Sequence, residues 1–336
     1  MTEPVPQQFL QLRPPEAESG AREFEVTTEN EFIRTLARRF PVRPPVEVGI
    51  GDDGAVLYDP DSLRTIIVTD MLLDGVHFDL NRTSPRLAGR KAVAVNLSDL
   101  AAMACRPTAA LVSLAVPRSL RCAAFEFLDE LYDGIEELTE HYKFTLAGGD
   151  TNSWDGPLAI NVCLTGVPFG SQPVLRSGAQ SGDVLFVTGP LGGSLHHDRH
   201  LLFSPRLEIA EWLIRHVPIS AMMDISDGLS MDLHRLTEAS RCSAVLDAGR
   251  IPIHGDVPLS LPHVKRLEAA LGDGEDFELL FSVNRMVAVT LQEEAARAGI
   301  VLYQIGVVES GTGCRIRDSH GNESPMQISG WQHALS

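Results

Sequence analysis

The chain has 336 residues, a length that favours two domains of about 150 residues each over a single hydrophobic core. Hydrophobic residues make up 44% and charged residues 22%, and no run of about 18 apolar residues predicts a membrane span. Acidic residues outnumber basic ones by 45 to 28, which gives a net charge of −17, so we expect neither nucleic acid nor a membrane as a partner.

The cysteines and the N-terminal segment indicate a reducing compartment. The five cysteines are far apart and form no C-x-x-C motif, which argues against a zinc knuckle or a disulfide framework. The N-terminal segment has no cationic start followed by an apolar stretch, so no signal peptide is predicted. We therefore expect a cytoplasmic protein.

Three segments differ in composition. Residues 1–27 are rich in Pro, Glu and Gln without periodicity, which predicts a disordered tail. Residues 28–168 and residues 169–336 each contain helix and strand patterns, and the Pro- and Gly-rich stretch PFGSQPVLRSGAQSGD at their junction is typical of a linker. The predicted fold is mixed α/β (α+β) with two domains.

Two helix starts stand out in the first block. Thr28 and Glu31 form a capping box ahead of an amphipathic helix. Ser84 followed by Pro85 predicts the start of a second helix, AGRKAVAVNLSDLAAMA, which we expect to stop near Pro107. Short β-branched and apolar runs predict strands between and after these helices.

Residues 49–54 match the G-x-G-x-x-G pattern of dinucleotide-binding folds. That motif must open a helix whose N-terminus binds a pyrophosphate, whereas the residues that follow here, AVLYD, predict a strand. Two aspartates also stand where a phosphate requires bare backbone N–H groups. The match therefore predicts no dinucleotide site.

Acidic residues recur at the ends of predicted strands. Asp70, Asp150 and Asp224 each close a hydrophobic run, and Asp99 lies three residues after Asn96 on one face of the second helix. Taken alone, each aspartate is more typical of a turn than of a ligand site. Several carboxylates in one cleft, however, require cations, and oxygen ligands without a His or Cys cluster favour Mg²⁺. The set therefore predicts phosphate chemistry at a magnesium site.

Seven sequence blocks then carry a family resemblance, although the chain has neither a P-loop nor the motifs of protein kinases. In order and spacing the chain resembles the thiamine-monophosphate kinases of the aminoimidazole ribonucleotide synthetase superfamily over about residues 28–335. The blocks are GIGDDGAV, VTDMLLDGVHF, KAVAVNLSDLAAMACRP, LAGGDTN, RSGAQSGD, DISDGLSMDL and DGEDFELLF.

The resemblance implies an aminoimidazole ribonucleotide synthetase-like fold and a specific reaction. Its N-terminal domain, residues 28–168, would bind ATP and metal and pair with its twin in a homodimer, and residues 169–336 would form a C-terminal α/β domain. The implied reaction is the ATP-dependent phosphorylation of thiamine monophosphate to thiamine diphosphate with several Mg²⁺ ions. The acceptor is a phosphate oxygen that is already anionic at pH 7, so no general base is expected.

The resemblance also implies roles for individual residues. The implied metal ligands are Asp53, Thr69, Asp70, Asp99, Asp150, Asp224 and Asp227. The implied ATP contacts are Gly149, Asp150, Arg176 and Ser226, and the implied substrate contacts are His77, Glu275 and Trp331.

Other interpretations remain open at this point. Taken alone, His77 favours a buried core histidine, Arg176 a linker cation and Trp331 an anchor for the C-terminus. The chain also has Val68 where the family often has Ser, and Gly54 where the family often has Cys or Ala. The alternatives are therefore another ATP-using enzyme of the same superfamily, or a catalytically degenerate paralogue that binds thiamine phosphates.

Overall fold

A computed structural model describes residues 29–58 and 64–333, so the predicted tail and the Thr28 cap lie outside the described residues. The described helices are α1 (Glu29–Arg39), α2 (Pro85–Ala102), α3 (Ala124–Tyr142), α4 (Arg199–Leu202), α5 (Leu207–His216), α6 (Leu229–Ser240), α7 (His263–Gly272) and α8 (Arg285–Arg297). The described strands are β1 (Val46–Val48), β2 (Ala55–Leu57), β3 (Thr65–Leu73), β4 (Cys105–Pro117), β5 (Thr145–Trp154), β6 (Ala159–Pro168), β7 (Val184–Val187), β8 (Ile219–Asp224), β9 (Ser243–Asp247), β10 (Leu279–Val283), β11 (Tyr303–Glu309), β12 (Cys314–Arg317) and β13 (Glu323–Pro325).

The strands form two mostly antiparallel sheets, which confirms the mixed α/β class. The first sheet has six strands in the order β1-β2-β3-β6-β4-β5, and only its β4–β5 pair is parallel. The second sheet has seven strands in the order β13-β12-β9-β11-β7-β10-β8, and only its β9–β12 pair is parallel. Residues 49–54 lead into β2 and not into a helix, as the sequence predicts.

The central element is α2. It starts as predicted, because the Ser84 hydroxyl accepts a hydrogen bond from the backbone N–H of Leu87 at 3.3 Å and Pro85 occupies the first turn. It ends at Ala102, earlier than expected, and Pro107 lies inside β4. Most of the helix is buried on every face, since it packs against the first sheet on one side and against β8, α4 and α5 on the other.

The first sheet is covered on one face only. Side chains of β3 alternate, so that Val68 and Leu72 point to the buried face while Met71, which is 56% exposed, points to the opposite face. Leu111 on β4 is 49% exposed on that same open face, and every residue of the edge strand β5 is exposed. Large apolar side chains exposed on a sheet face are typical of a surface that another chain covers.

Among the described helices, none is both long enough and apolar enough to cross a membrane.

Candidate active site

Three carboxylates from separate parts of the chain meet between the two sheets. One oxygen each from Asp53, Asp99 and Asp224 lies within 4.8 Å of the other two. Asp53 stands in the turn before β2, Asp99 on α2 and Asp224 at the end of β8. Asp70 on β3 joins them through a hydrogen bond with Asp99. We call these four residues the carboxylate cluster.

The local structure fixes the orientation of the cluster. The Ser98 hydroxyl donates to Asp224 Oδ2 at 2.6 Å, which ties α2 to the end of β8. Asp224 is the only one of the three predicted strand-closing aspartates that ends its strand, because β3 continues past Asp70 to Leu73 and β5 continues past Asp150 to Trp154. The cluster therefore forms by side-chain direction rather than by shared strand ends.

The cluster is short of positive charge. Burial, followed by the neighbouring acids, raises the pKa of Asp99 well above its usual value; burial is also the main cause of the raised pKa values of Asp70 and Asp224. The Arg176 guanidinium lies 2.6 Å from Asp53 Oδ1, while Asp53 Oδ2 is buried with no hydrogen-bond partner among the described residues. One guanidinium against four carboxylates leaves room for further cations, and the all-oxygen donor set fits Mg²⁺.

Arg176, the predicted ATP-phosphate contact, is paired with the carboxylate cluster in this structure. Its guanidinium is paired with Asp53, and its backbone N–H points to Asp52 Oδ2 at 3.2 Å. Burial and the Asp53 carboxylate raise the pKa of Asp52 to about 6. The side chain of Arg176 therefore acts as a counter-ion of the cluster in this structure.

The predicted substrate residues line the same cleft as the cluster. Residues that line the cleft include Asp70, Leu72, Val76, His77, Val95, Asp99, Leu195, Asp224, Ser226, Asp227, Asp273, Glu275, Phe277, Trp331 and His333. The rings of His77, Trp331 and His333 lie close to one another, and we call the part of the cleft that they line the ring end. Asp70, Asp99 and Asp224 of the carboxylate cluster line the same cleft. A small molecule that carries both an anionic group and a ring matches this lining.

His77 in the cleft is neutral at pH 7 and has a defined tautomer. His77 Nδ1 accepts a hydrogen bond from the backbone N–H of Leu73 at 2.9 Å, so the neutral ring carries its proton on Nε2. Burial, with contributions from Lys91 and His333, lowers the pKa of His77 to about 4. At pH 7 the ring can donate a hydrogen bond from Nε2, and its Nδ1 is already occupied.

Trp331 and His333 form the ring wall of the cleft. The His333 ring lies 5.4 Å from the His77 ring and 5.8 Å from the Trp331 ring, between centroids. The backbone N–H of Trp331 donates to the Asp227 carbonyl at 3.0 Å, and the Trp331 side chain remains half exposed. The C-terminal segment is thus held against the cleft, with an indole available to a ligand.

Two predicted metal ligands do not join the cluster within this chain. Thr69 precedes Asp70 on β3 and points to the open face, where its hydroxyl donates to the Val162 carbonyl at 3.0 Å. Asp150 also lies on the open face, since it is paired with the exposed Ser113. The strand order β3-β6-β4-β5 separates it from Asp70 by three strand spacings, about 14 Å.

Asp227 and Gly149 have structural roles in addition to those predicted. Asp227 lines the cleft, and its Oδ2 is paired with Arg235 Nη1 at 2.5 Å. A Cβ at Gly149 would lie 1.8 Å from the Val112 carbonyl oxygen, so β5 can approach β4 here only with glycine. Ser226 lines the cleft beside Asp227.

Two residues of the cleft were missed from the sequence. Lys91 on α2 lies beneath the cleft and contacts both Glu275 and the His77 backbone. The one available signal was the charged pair Arg90-Lys91 directly before the apolar run AVAVNL, which is unusual on a buried helix. His333 could have been noted only for its position two residues after Trp331.

Comparisons with known proteins agree over nearly the whole chain. Residues 51–168 match the family model for the N-terminal domain of AIR synthase related proteins, and residues 180–319 match that for the C-terminal domain. A thiamine-monophosphate kinase of Rhodopirellula baltica is 42% identical over 294 residues, covering 85% of this chain and 90% of the relative. That of Escherichia coli strain K12 is 34% identical over 314 residues, covering 87% and 93%.

Solved structures give the same picture. AaThiL complexed with AMPPCP and TMP superimposes with a TM-score of 0.76 at 28% identity, over 91% of this chain and 97% of that one. Thiamine-monophosphate kinase from Stenotrophomonas maltophilia K279a gives 0.68 at 30% identity, over 85% and 94%. The hydrogenase maturation protein HypE of E. coli gives 0.66 at 18% identity, over 91% and 98%, which shows a shared fold alone.

Proposed function

We propose that this chain, which belongs to the thiamine-monophosphate kinase family of AIR synthase related proteins, transfers the γ-phosphoryl group of ATP directly to its acceptor. The activity is the ATP-dependent phosphorylation of thiamine monophosphate to thiamine diphosphate, with ADP as the second product. The observation that carries the direct route is that one cleft is lined both by Asp70, Asp99 and Asp224 of the carboxylate cluster and by the ring wall. Acceptor and donor can therefore meet without a covalent intermediate on the protein.

The carboxylate cluster is the proposed magnesium site. Asp53, Asp70, Asp99 and Asp224 would hold the metal, and the unpaired Asp53 Oδ2 supports this assignment. Mg²⁺ held by these carboxylates would supply positive charge that offsets the charge of the phosphates. The carboxylates themselves do not move protons in this proposal, since their task is to hold cations.

No side chain is needed to activate the acceptor. The second ionisation of a phosphate monoester lies near pH 6, at about the value known for phosphorylated side chains, so the acceptor is mostly a dianion at pH 7 and above. The pKa of His77, lowered to about 4, leaves a neutral ring that is too weak a base to matter at that pH. We assign its Nε2–H to substrate binding, together with Glu275 and Trp331.

The nucleotide side requires a rearrangement of Arg176. Its guanidinium neutralises Asp53 in this structure, whereas the family resemblance implies that it contacts the ATP phosphates. Gly149 and Ser226 complete the proposed ATP contacts. The buried position of Arg176 Nε, which has no partner among the described residues, supports a second, better satisfied position for this side chain.

The open face of the first sheet supports a homodimer. Met71 and Leu111 are large apolar side chains exposed on it, and a second copy of the chain would cover them. Thr69 and Asp150 lie on the same face, so in a dimer they would act at or beside the partner's site rather than in their own cluster. All five cysteines are free thiols, which supports the proposed cytoplasmic location.

ADP release tests the proposed activity. The purified protein with ATP and Mg²⁺ should release ADP only when thiamine monophosphate is present. Asp224→Asn should lower turnover at least about 100-fold, because metal assistance is worth several kcal/mol. The matched control is Asp129→Asn on the exposed side of α3, which should leave turnover unchanged. A wild-type protein that binds thiamine monophosphate but releases no ADP would favour the degenerate paralogue.

A further inference from the structure

We propose that Lys91 is a positioning residue of the substrate pocket, which orients Glu275 and the backbone of His77 toward the ring end of the cleft. The inference rests on the proposed function, because it assigns a specificity role within the same site. Lys91 begins the block KAVAVNLSDLAAMACRP, but the family resemblance implies no role for it, and it contacts none of the four carboxylates of the cluster.

The contacts of Lys91 join three parts of the chain. Its side chain is 0% exposed, and Nζ lies 2.5 Å from Glu275 Oε2 and 2.7 Å from the carbonyl oxygen of His77. Lys91 belongs to α2, His77 to the loop after β3, and Glu275 to the loop before β10. Both loops line the cleft, so one ammonium group holds its two walls at a fixed separation.

Burial of the Lys91 ammonium group costs desolvation free energy and so contributes little to the stability of the fold. Burial lowers the pKa of Lys91 and raises that of Glu275, and the pairing between them offsets only part of each effect. A buried ion pair can often be replaced by apolar residues with no loss of stability. Its presence here is better explained by orientation than by stability.

The loop that carries Glu275 is strained. Glu275 has a backbone φ of +54° and Phe277 one of +51°, conformations that cost about 1–3 kcal/mol each in residues other than glycine. The backbone N–H of Glu275 donates to the Ser226 carbonyl at 2.6 Å, and the Lys91 contact holds its side chain. A loop held from both ends in an unfavourable conformation is typical of a functional site.

The orientation suits a cationic ring with hydrogen-bond donors. Lys91 engages Oε2 of Glu275, while 23% of the Glu275 side chain remains exposed at the cleft. The carboxylate is therefore presented in one direction, toward the end where His77 and Trp331 also lie. The thiazolium ring of thiamine carries a positive charge, which this carboxylate can attract. The aminopyrimidine ring carries N–H donors, from which the carboxylate can accept hydrogen bonds. Lys91 should thus affect recognition of the ring end and not of the phosphates.

The test is a double-mutant cycle with Lys91→Met and Glu275→Gln. Methionine keeps the length and volume of the buried chain without its charge. Lys91→Met should weaken thiamine-monophosphate binding about tenfold or more, measured by calorimetry, because the carboxylate is no longer held in place. Affinity for AMPPCP should change less than about twofold. The KM for thiamine monophosphate should rise more than kcat falls.

The cycle separates positioning from structural support. If Lys91 acts through Glu275, then in the Glu275→Gln background the Lys91→Met change should have little further effect on thiamine-monophosphate affinity. The double variant also removes both buried charges, so it should fold even if Lys91→Met alone does not. Lys265→Met, at an exposed lysine paired with Glu268, is the control and should change neither affinity nor melting temperature.

Three outcomes decide the matter. Non-additive losses confined to thiamine monophosphate support the positioning role. Additive losses, or equal losses of thiamine-monophosphate and AMPPCP affinity, would overturn it and leave Lys91 as a structural residue. A wild-type protein that binds no thiamine monophosphate would instead refute the proposed function, which the same calorimetry shows before any variant is made.

Discussion

Gly54 and Val68 share one space beside the carboxylate cluster. A Cβ at Gly54 would lie 2.8 Å from Val68 Cγ1 and 3.0 Å from Met103 Sδ. Val68 is 2% exposed and points into the core. The two departures from the family pattern therefore compensate each other in volume. Val68 on β3 is larger than the Ser often found there, and Gly54 in the turn is smaller than the usual Cys or Ala. Neither change removes a carboxylate, so neither argues for a degenerate site.

The shared space predicts coupled effects on stability. Gly54→Ala should lower the free energy of unfolding by about 1–3 kcal/mol, because the core cannot accept another methyl group beside Val68. Val68→Ala should also destabilise the protein, through the cavity it leaves. The double variant should be less destabilised than the sum of the two, measured by denaturant titration. Strictly additive losses would show that the two side chains do not compete for space.

Kinetics of a His77 variant can distinguish a role in substrate binding from a role in proton transfer. Because its pKa is lowered to about 4 and its Nδ1 accepts the Leu73 N–H, we expect no base catalysis from it at pH 7. His77→Ala should raise the KM for thiamine monophosphate about tenfold or more while kcat falls less. The kcat of the wild-type enzyme at saturating metal should show no ionisation of this residue between pH 6 and 8. A variant with normal affinity and a thousandfold lower kcat would contradict the assignment.

At the scale of elements, α2 brings the site together. Ser98 and Asp99 face the end of β8 and the cluster, while Lys91, two turns earlier, faces the two loops of the ring end. The helix is buried on nearly every face, so these polar side chains meet partners from both halves of the chain. One helix therefore sets the distance between the carboxylate cluster and the ring end of the cleft.

The position of Asp150 on the exposed edge strand β5 predicts that two subunits contribute residues to one site. Asp150→Asn and Asp224→Asn should each inactivate the enzyme. If Asp150 acts at the partner's site, a heterodimer of the two variants has one site with both residues intact, and mixing the variants should restore activity. Co-expression with two affinity tags provides the heterodimer, and tagged homodimers of each variant are the controls. A heterodimer that stays inactive would show that Asp150 acts within its own chain or only in folding.

Some elements could be predicted from sequence and others could not, for physical reasons. The helices α5 and α6 match their apolar periodicity over their full length, and α2 starts at the predicted cap. The strands β9, β12 and β13 have three to five residues each, too few for a clear alternation, and α7 was also missed. The order of strands within a sheet is set by tertiary pairing and cannot be read from local sequence. The sequence therefore did not reveal that β6 and β4 lie between the strands that carry Asp70 and Asp150.

At the scale of the whole molecule, the buried acids link metal binding to pH. The folded-state pKa values of Asp70, Asp99 and Asp224 are raised, so their contribution to stability is present at low pH and is lost as pH rises through those values. At low pH a metal ion must displace the protons that these carboxyl groups bind, and at high pH fewer protons are bound. Metal should therefore stabilise the protein more strongly as the pH increases.

Melting curves test this linkage without measuring activity. The rise in melting temperature on adding Mg²⁺ should be larger at pH 8 than at pH 6. Asp224→Asn should remove most of that rise at both pH values, whereas Asp129→Asn should keep it. A rise that Asp224→Asn leaves unchanged would show that the metal does not bind at the carboxylate cluster.

Transfer of labelled phosphate tests the central claim most directly. The enzyme is incubated with Mg²⁺, thiamine monophosphate and ATP labelled in its γ-phosphoryl group, and the label is followed into small molecules and protein. The account predicts label in the terminal phosphate of thiamine diphosphate, one ADP for each diphosphate formed, and none on the protein. Label attached to the protein as an intermediate, or released only as inorganic phosphate, would contradict direct transfer in the shared cleft.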